Sequence, residues 1–87
     1  MDFKDWLYDT VDGLLDHDMV ICLTSGNVII CRSTGDYRTE ITVHEDFLMV
    51  EHMKMDEDNV LYPIRTDYVP LSMIEKISTT WEDSENE

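Results

Sequence analysis

The sequence predicts an α+β fold in which an N-terminal amphipathic helix packs on a small, strongly bent antiparallel β-sheet or barrel of five or six strands. Three observations predict it. Apolar side chains in the first 16 residues recur with a helical period, the later apolar segments have the composition of strands, and turn motifs separate those segments. The 87 residues suffice for one domain. We assign it to residues 1–80 and expect an acidic, flexible tail over residues 81–87.

The first element is a predicted helix over residues 2–16. Asp2 is placed to cap its amino terminus, and Asp5 follows in the first turn, where a carboxylate suits the positive end of the helix dipole. At about 100° per residue, the apolar side chains fall on one broad face, which we expect to lie against the sheet. These side chains belong to Phe3, Trp6, Leu7, Val11, Leu14 and Leu15.

A β-hairpin is predicted next. Residues 19–24 and 28–33 are apolar and rich in β-branched side chains, and Ser25, Gly26 and Asn27 separate them. This combination predicts two antiparallel strands joined by a short loop, with the register of the turn left open.

The two cysteines of the chain lie on this hairpin, and the turn register decides whether they meet. If Gly26 and Asn27 form the turn, Cys22 lies opposite Cys31 at a non-hydrogen-bonded position, where side chains come closest. If Ser25 and Gly26 form it, the cysteines miss each other. We expect reduced cysteines that behave as small apolar residues, with a redox switch as the alternative.

Four more segments complete the predicted sheet. Apolar and polar residues alternate over residues 37–44, which predicts a strand with one solvated face. A mostly apolar strand follows from residue 47 towards residue 55, after a break at Glu45 and Asp46. A short strand over residues 60–64 contains Pro63 and is therefore expected at a sheet edge. The last ordered segment covers residues 68–78.

The hairpin residues 19–24 and 28–30, together with the closing segment over residues 68–77, resemble the Sm-like and SH3-like small barrels. In those barrels a strand, a one-turn 3₁₀ segment and a last strand follow one another, and Pro70 would start the turn. Sm-like barrels commonly form rings through their edge strands. The resemblance therefore implies, as an alternative function, an oligomeric scaffold or a small-ligand-binding module. The basic and Asn-containing RNA-binding positions typical of Sm proteins are not evident.

The charge of the chain limits its partners. The chain has twenty Asp and Glu residues and six Lys and Arg residues, which gives a net charge of -14. Such acidity repels phosphate backbones and anionic lipid headgroups, so we expect neither direct nucleic-acid binding nor membrane binding, and a basic protein surface becomes the favoured partner. No apolar run approaches the roughly 20 residues that span a bilayer. The start of the chain lacks the features of a signal peptide, so we expect a cytoplasmic protein.

Aspartates recur along the back of the predicted helix at spacings of 3, 4, 3 and 4. Successive carboxylates would be separated by roughly 5 Å along the axis, the order of the spacing between phosphates on one nucleic-acid strand. Asp disfavours helices more than Glu does, and the like-charge neighbours together cost about 1–2 kcal/mol. These costs favour a binding surface, with a solvated helix face as the alternative. We call this row the aspartate ladder: Asp2, Asp5, Asp9, Asp12 and Asp16.

The aspartate ladder, the size and the charge resemble those of phage-encoded anti-restriction and anti-CRISPR proteins that imitate DNA, and of bacterial immunity proteins that neutralise basic nucleases. The resemblance implies an inhibitor of a basic nucleic-acid-binding protein, a nuclease or a CRISPR or restriction effector, acting in the host cell cytoplasm if a phage encodes it. Tyr8 would be an anchor beside the charges. The tail residues Glu82, Asp83 and Glu85 would extend the same surface.

No catalytic, metal or cofactor site is predicted. His17, His44 and His52 lie among acidic residues without the spacing of a metal site, and residues 56–59 lack the pattern of an EF-hand. The chain has no glycine-rich phosphate loop, and no nucleophile motif surrounds any Ser. We therefore expect a binding protein rather than an enzyme.

Overall fold

The structure is a computed structural model that describes Asp5, Leu7, Tyr8 and residues 12–79. Of these residues, 61% lie in strands. The strands, in chain order, are β1 (Gly13–Leu14), β2 (Met19–Leu23), β3 (Val28–Cys31), β4 (Tyr37–Val43), β5 (Phe47–Met55), β6 (Leu61–Pro70) and β7 (Ile74–Thr79).

The predicted α+β fold is wrong. The strands form two antiparallel sheets, a four-stranded sheet in the order β1-β4-β5-β6 and a three-stranded sheet in the order β3-β2-β7. The described residues include no helix of seven or more residues. A single bent sheet or a barrel of five or six strands was expected, and the described residues instead form seven strands divided between two sheets.

The predicted helix over residues 2–16 is wrong over residues 12–16, where Gly13 and Leu14 form strand β1 and no residue is helical. Gly13 and Leu14 pair with Ile41 and Glu40 of β4. Gly13 has φ +123°, a conformation that L side chains rarely adopt and that a helix excludes. Gly and Asp also lower helix propensity in this stretch, so pairing with β4 satisfies the backbone better than a last helical turn. Residues 2–4, 6 and 9–11 of the predicted helix lie outside the described residues.

Both sheets contribute their inner faces to one apolar core. Alternation along β4 and β5 directs every second side chain inward, and the short strand β2 does the same from the other sheet. The buried apolar residues are Leu7, Leu15, Met19, Ile21, Cys31, Ile41, Val43, Leu48, Val50 and Val69.

The predicted hairpin is confirmed as β2 and β3, but both predicted turn registers are wrong. Cys22 lies opposite Val28, and Met19 lies opposite Cys31. The loop has three residues, because Leu23 N donates to Asn27 O at 2.9 Å and Gly26 N donates to Leu23 O at 2.9 Å. Gly26, at φ +95°, supplies the left-handed position that such a loop requires. The two cysteines therefore do not face each other, and both are free thiols.

The closing segment has the order expected from the position of Pro70. Strand β6 leads directly into a 3₁₀ turn at Leu71–Met73, and β7 follows. Leu71 N donates to Asp46 O at 2.9 Å and so ties this turn to the loop between β4 and β5. Pro63 lies in β6, the outermost strand of the four-stranded sheet, and its predicted place at an edge is confirmed. No helix in the described part of the chain is long and apolar enough to span a membrane.

Asp12 extends the short strand β1 through its side chain. Its Oδ1 accepts a hydrogen bond from Val43 N at 3.0 Å, just beyond the backbone pairing of β1 with β4. We expect Asp12→Ala to lower the free energy of unfolding by about 1–2 kcal/mol, because the Val43 N–H loses a charged acceptor. Asp12→Asn keeps an acceptor oxygen and should lose less. Urea unfolding beside Asp16→Ala, whose exposed side chain contacts the adjacent His17, provides the comparison. Equal losses from the two alanine variants would contradict this role.

Candidate functional site

The four predicted partner-binding residues that the structure describes do not all lie on one helix. Asp5 and Tyr8 are exposed and have helical backbone conformation. Asp12 and Asp16 lie outside any helix, and each has a local hydrogen bond: Asp12 with Val43 N, and Asp16 with His17 Nδ1 at 2.7 Å. The bond from His17 lowers the pKa of Asp16. The remaining predicted residues, Asp2, Asp9, Glu82, Asp83 and Glu85, lie outside the described residues.

A different pair of acidic side chains meets on the four-stranded sheet. Glu40 of β4 lies directly opposite Glu51 of β5, on the face that points away from the core. Opposite residues of antiparallel strands have Cβ atoms about 4.5–5.5 Å apart. Neither carboxylate forms a salt bridge with any of the described residues. The nearest basic residue in the register, Arg38, donates instead to Gly35 O and Tyr37 O at 2.8 and 2.6 Å.

Apolar and aromatic side chains surround this glutamate pair. Leu14 of β1 lies beside Glu40, and the next row of the face pairs Met49 with Tyr68, which is 66% exposed. The Phe47 ring stacks on His44 with 4.6 Å between ring centroids and tilts against Tyr68 at 6.0 Å. We call this surface the outer face; its members are Leu14, Glu40, Thr42, Phe47, Met49, Glu51, Thr66 and Tyr68.

The outer face has the chemistry of a site for a cationic side chain. Two adjacent carboxylates accept hydrogen bonds from an ammonium or guanidinium group, and Met and Tyr side chains pack against its aliphatic stem. The sequence contained a signal for this pair that we missed. If Glu45 and Asp46 are the two residues of a hairpin turn, Glu40 falls opposite Glu51, and the structure has that turn, with His44 N donating to Phe47 O at 2.9 Å.

A second feature, a cleft of about 490 Å³, opens between β3 and β6, the outermost strands of the two sheets. Its lining includes all three arginines of the chain, Arg32, Arg38 and Arg65. We call it the arginine cleft. Nothing in the sequence pattern linked these arginines, because they lie on three separate segments and come to line one cleft only in the folded structure.

A hydrogen-bonded group of three side chains lines one side of the arginine cleft. Asp67 Oδ2 lies 2.9 Å from His52 Nε2, and Asp67 Oδ1 accepts from Arg65 Nε and Nη2 at 3.2 and 3.1 Å. Strand β6 has an extra residue at this point, Ile64, because the register with β5 shifts between His52 and Met53. Ile64 and Arg65, the residues at this bulge, both line the arginine cleft.

Among the described residues, the other groups that bear on chemistry are the buried cysteine thiol and the metal-ligating side chains. Burial raises the pKa of the Cys31 thiol to about 12, with the Asp67 and Asp18 carboxylates adding to the effect, so the thiol stays protonated at neutral pH. No group of three or more His, Cys, Asp or Glu side chains in the described part is placed to hold a metal ion.

Comparison of the chain with protein-family models, curated proteins and solved structures finds no match.

Proposed function

We propose that this chain is a non-enzymatic binding protein that covers a basic surface of another protein through its outer face. The observation that carries the proposal is the Glu40 and Glu51 pair, two adjacent carboxylates without a counter-ion among the described residues. The partner class that fits best is a nucleic-acid-binding protein or nuclease, whose Lys and Arg cluster would otherwise bind phosphate.

Electrostatics supports a cationic partner over any other. Like charges placed directly opposite each other destabilise a sheet, and a Lys or Arg head between the two carboxylates removes that repulsion. The net charge of -14 acts at longer range, because it steers a basic protein towards this chain and raises the association rate at low salt. The local carboxylate pair and the long-range negative charge therefore both favour binding of a basic partner.

The apolar side chains beside the pair supply the desolvated contacts that a stable complex needs. Tyr and Met are enriched in binding surfaces because their large side chains bury apolar area and adapt to a partner. Tyr68 and Met49 lie side by side on the outer face, and Tyr68 is the more exposed of the two. We therefore assign Tyr68 the role of anchor beside the charged centre.

The aspartate ladder has a reduced part in this proposal. Asp12 and Asp16 do not continue a helical row, so the imitation of one phosphate strand over five carboxylates is not retained. Roles for Asp2, Asp5 and Asp9, for Tyr8 and for the acidic tail stay predictions. We propose that the complex forms in the cytoplasm, that of the host cell if a phage encodes the chain.

The test compares two double variants that remove the same charge. In Glu40→Gln/Glu51→Gln the outer face loses its carboxylates, while in Glu57→Gln/Asp58→Asn two exposed acids of the β5–β6 turn are lost. Basic proteins retained from lysate at moderate salt are identified by mass spectrometry, and the affinity of the purified partner is then measured by calorimetry. We expect the first variant to bind about 10–100-fold more weakly and the second within about threefold of the wild type.

Two readouts complete this test. Nucleic-acid binding or cleavage by the partner should fall as the wild-type chain is added and recover with the Glu40→Gln/Glu51→Gln variant. Equal losses of affinity from the two double variants would show that the outer face contributes only through the net charge of the chain, which would contradict the proposal.

The alternative function, an oligomeric scaffold or small-ligand module, also has an observation in its favour. Val28 and Ile30 of β3 are 53% and 52% exposed, and among the described strands β3 pairs only with β2, so its other edge is a candidate for pairing with another chain. Light scattering separates the two functions, since a ring of defined stoichiometry favours the scaffold and a monomer or dimer favours the binding protein.

A further inference from the structure

We propose that the arginine cleft binds a small organic anion, an acidic group carried on an apolar or aromatic body. This site is separate from the outer face. It would bind an anion, whereas the outer face is proposed to bind cationic side chains. Its lining residues come from β3, β4, β5 and β6 and from Arg32, which directly follows β3.

The first argument is the separation of charge. Three arginines and one acid, Asp67, are among the residues that line the cleft, a sum of +2 against -16 for the rest of the chain. Arg38 lies on the same side of β4 as Glu40 and donates to Gly35 O and Tyr37 O, so the positive charge within the cleft comes from Arg32 and Arg65. A protein with twenty acidic residues would neutralise its arginines most simply by pairing each with a carboxylate. Because the arginines instead line one cleft, that cleft is a local positive site on a negative protein, and it favours the binding of an anion.

The second argument is the state of the individual side chains. Asp67 is already engaged by His52 and Arg65, so it does not neutralise Arg32. The Arg32 guanidinium lies over the Tyr37 ring, 5.5 Å from its centroid, and forms no salt bridge with a described carboxylate. The ring holds this charged head in place without using its hydrogen-bond donors, which remain for an anion.

The third argument is the apolar rim. Val28, Ile30 and Ile64 line the cleft and are each at least half exposed, although they come from the outermost strands of two different sheets. A volume of about 490 Å³ lies within the range of pockets for small organic ligands. Apolar walls with a few placed charges suit a ligand that has one acidic end and one apolar end, and not a bare inorganic ion.

The experiment uses a fluorescent pair of probes that differ in charge. Anilinonaphthalene sulfonate has an aromatic body and one sulfonate group, whereas phenylnaphthylamine has nearly the same body and no charge. Titration of the full chain should give saturable binding of one sulfonate probe per chain. We expect the neutral probe to bind at least about tenfold more weakly. Equal binding of the two probes would overturn the proposal.

Matched variants locate the binding. Arg32→Gln removes a charge that has no hydrogen bond in the described structure, and we expect it to weaken the sulfonate probe about 5–10-fold. Lys76→Gln makes the same change of charge on β7, outside the cleft lining, and should leave binding unchanged. Equal affinity of the two variants would show that the arginine cleft is not the site.

Two further measurements control for unfolding of the variants and for the charge of the ligand. Because the sulfonate probe also binds partly unfolded chains, near-UV circular dichroism must show the same tertiary signal in both variants. Benzoate and phenyl phosphate are then tested as competitors, with benzyl alcohol as the neutral control. Displacement by either anion supports the site and identifies the preferred acidic group. If neither anion displaces the probe better than benzyl alcohol, the proposal fails.

Discussion

Replacing Leu48 with alanine is expected to lower the free energy of unfolding by about 2–5 kcal/mol. Leu48 is fully buried and pairs with Val43 and Val69, which are buried too. The loss combines the transfer free energy of the removed methyl groups with the cavity that remains. Because small domains have only about 5–15 kcal/mol of stability, urea unfolding should show a large shift of the midpoint with little change in slope.

The matched control is Met49→Ala, one residue along the same strand. Met49 points to the outer face and pairs with Thr42 and Tyr68, so its removal should cost less than about 1 kcal/mol of stability. The same variant should weaken partner binding. Two neighbouring substitutions thus separate the core from the proposed binding face. A similar loss of stability from both variants would contradict the assignment of these two faces.

The period of two along the chain made much of the sheet predictable. The strand predicted over residues 37–44 corresponds to β4 at Tyr37–Val43, and the strand from residue 47 to residue 55 corresponds to β5 at Phe47–Met55. Alternation is a local property that survives folding whenever one face of a strand is buried. For β4 it predicted both the strand and the face that each side chain occupies, whereas β5 was predicted from its apolar composition alone.

The amino-terminal segment shows why the fold class was wrong. Apolar spacing over residues 2–16 is compatible with a helix, but Gly13 and Leu14 pair with the exposed edge of β4. That edge exists only after the rest of the sheet has formed, so a local pattern could not predict that pairing. The hairpin register failed for a related reason, since a three-residue loop ending in Gly26 competes with the two-residue turns.

The two sites differ in how far the sequence could predict them. The Glu40 and Glu51 pair follows from the position of one turn and could have been derived. The arginine cleft depends on the approach of β3 to β6 and on the bulge at Ile64. Both are tertiary features, and no local sequence pattern predicts that Arg32 and Arg65 line the same cleft.

The stability of the chain is expected to fall steeply above about pH 9 because of Cys31. Burial raises the pKa of this thiol from 9.0 to about 12 in the folded state. An unfolded chain loses the proton near the ordinary pKa, whereas the folded chain keeps it until about pH 12. The unfolded state is therefore stabilised progressively between these two values. The contribution of Cys31 is fully present below about pH 9 and is lost by about pH 12, a total of about 4 kcal/mol.

Urea unfolding under reducing conditions, from about pH 8 to about pH 11, measures this effect as a difference between variants. Cys31→Ala should be less stable than the wild type near pH 8, because it leaves a small cavity opposite Met19. Its stability should then decline less with pH, since the tyrosines and lysines that also titrate are common to both chains. Cys22→Ala retains Cys31 and should keep the steep decline. If Cys31→Ala declined as steeply as Cys22→Ala, some other group would govern the alkaline limit. A decline confined to chains with Cys31 would establish that the hairpin holds this cysteine in the core as a neutral thiol, away from the redox role that its register could have allowed.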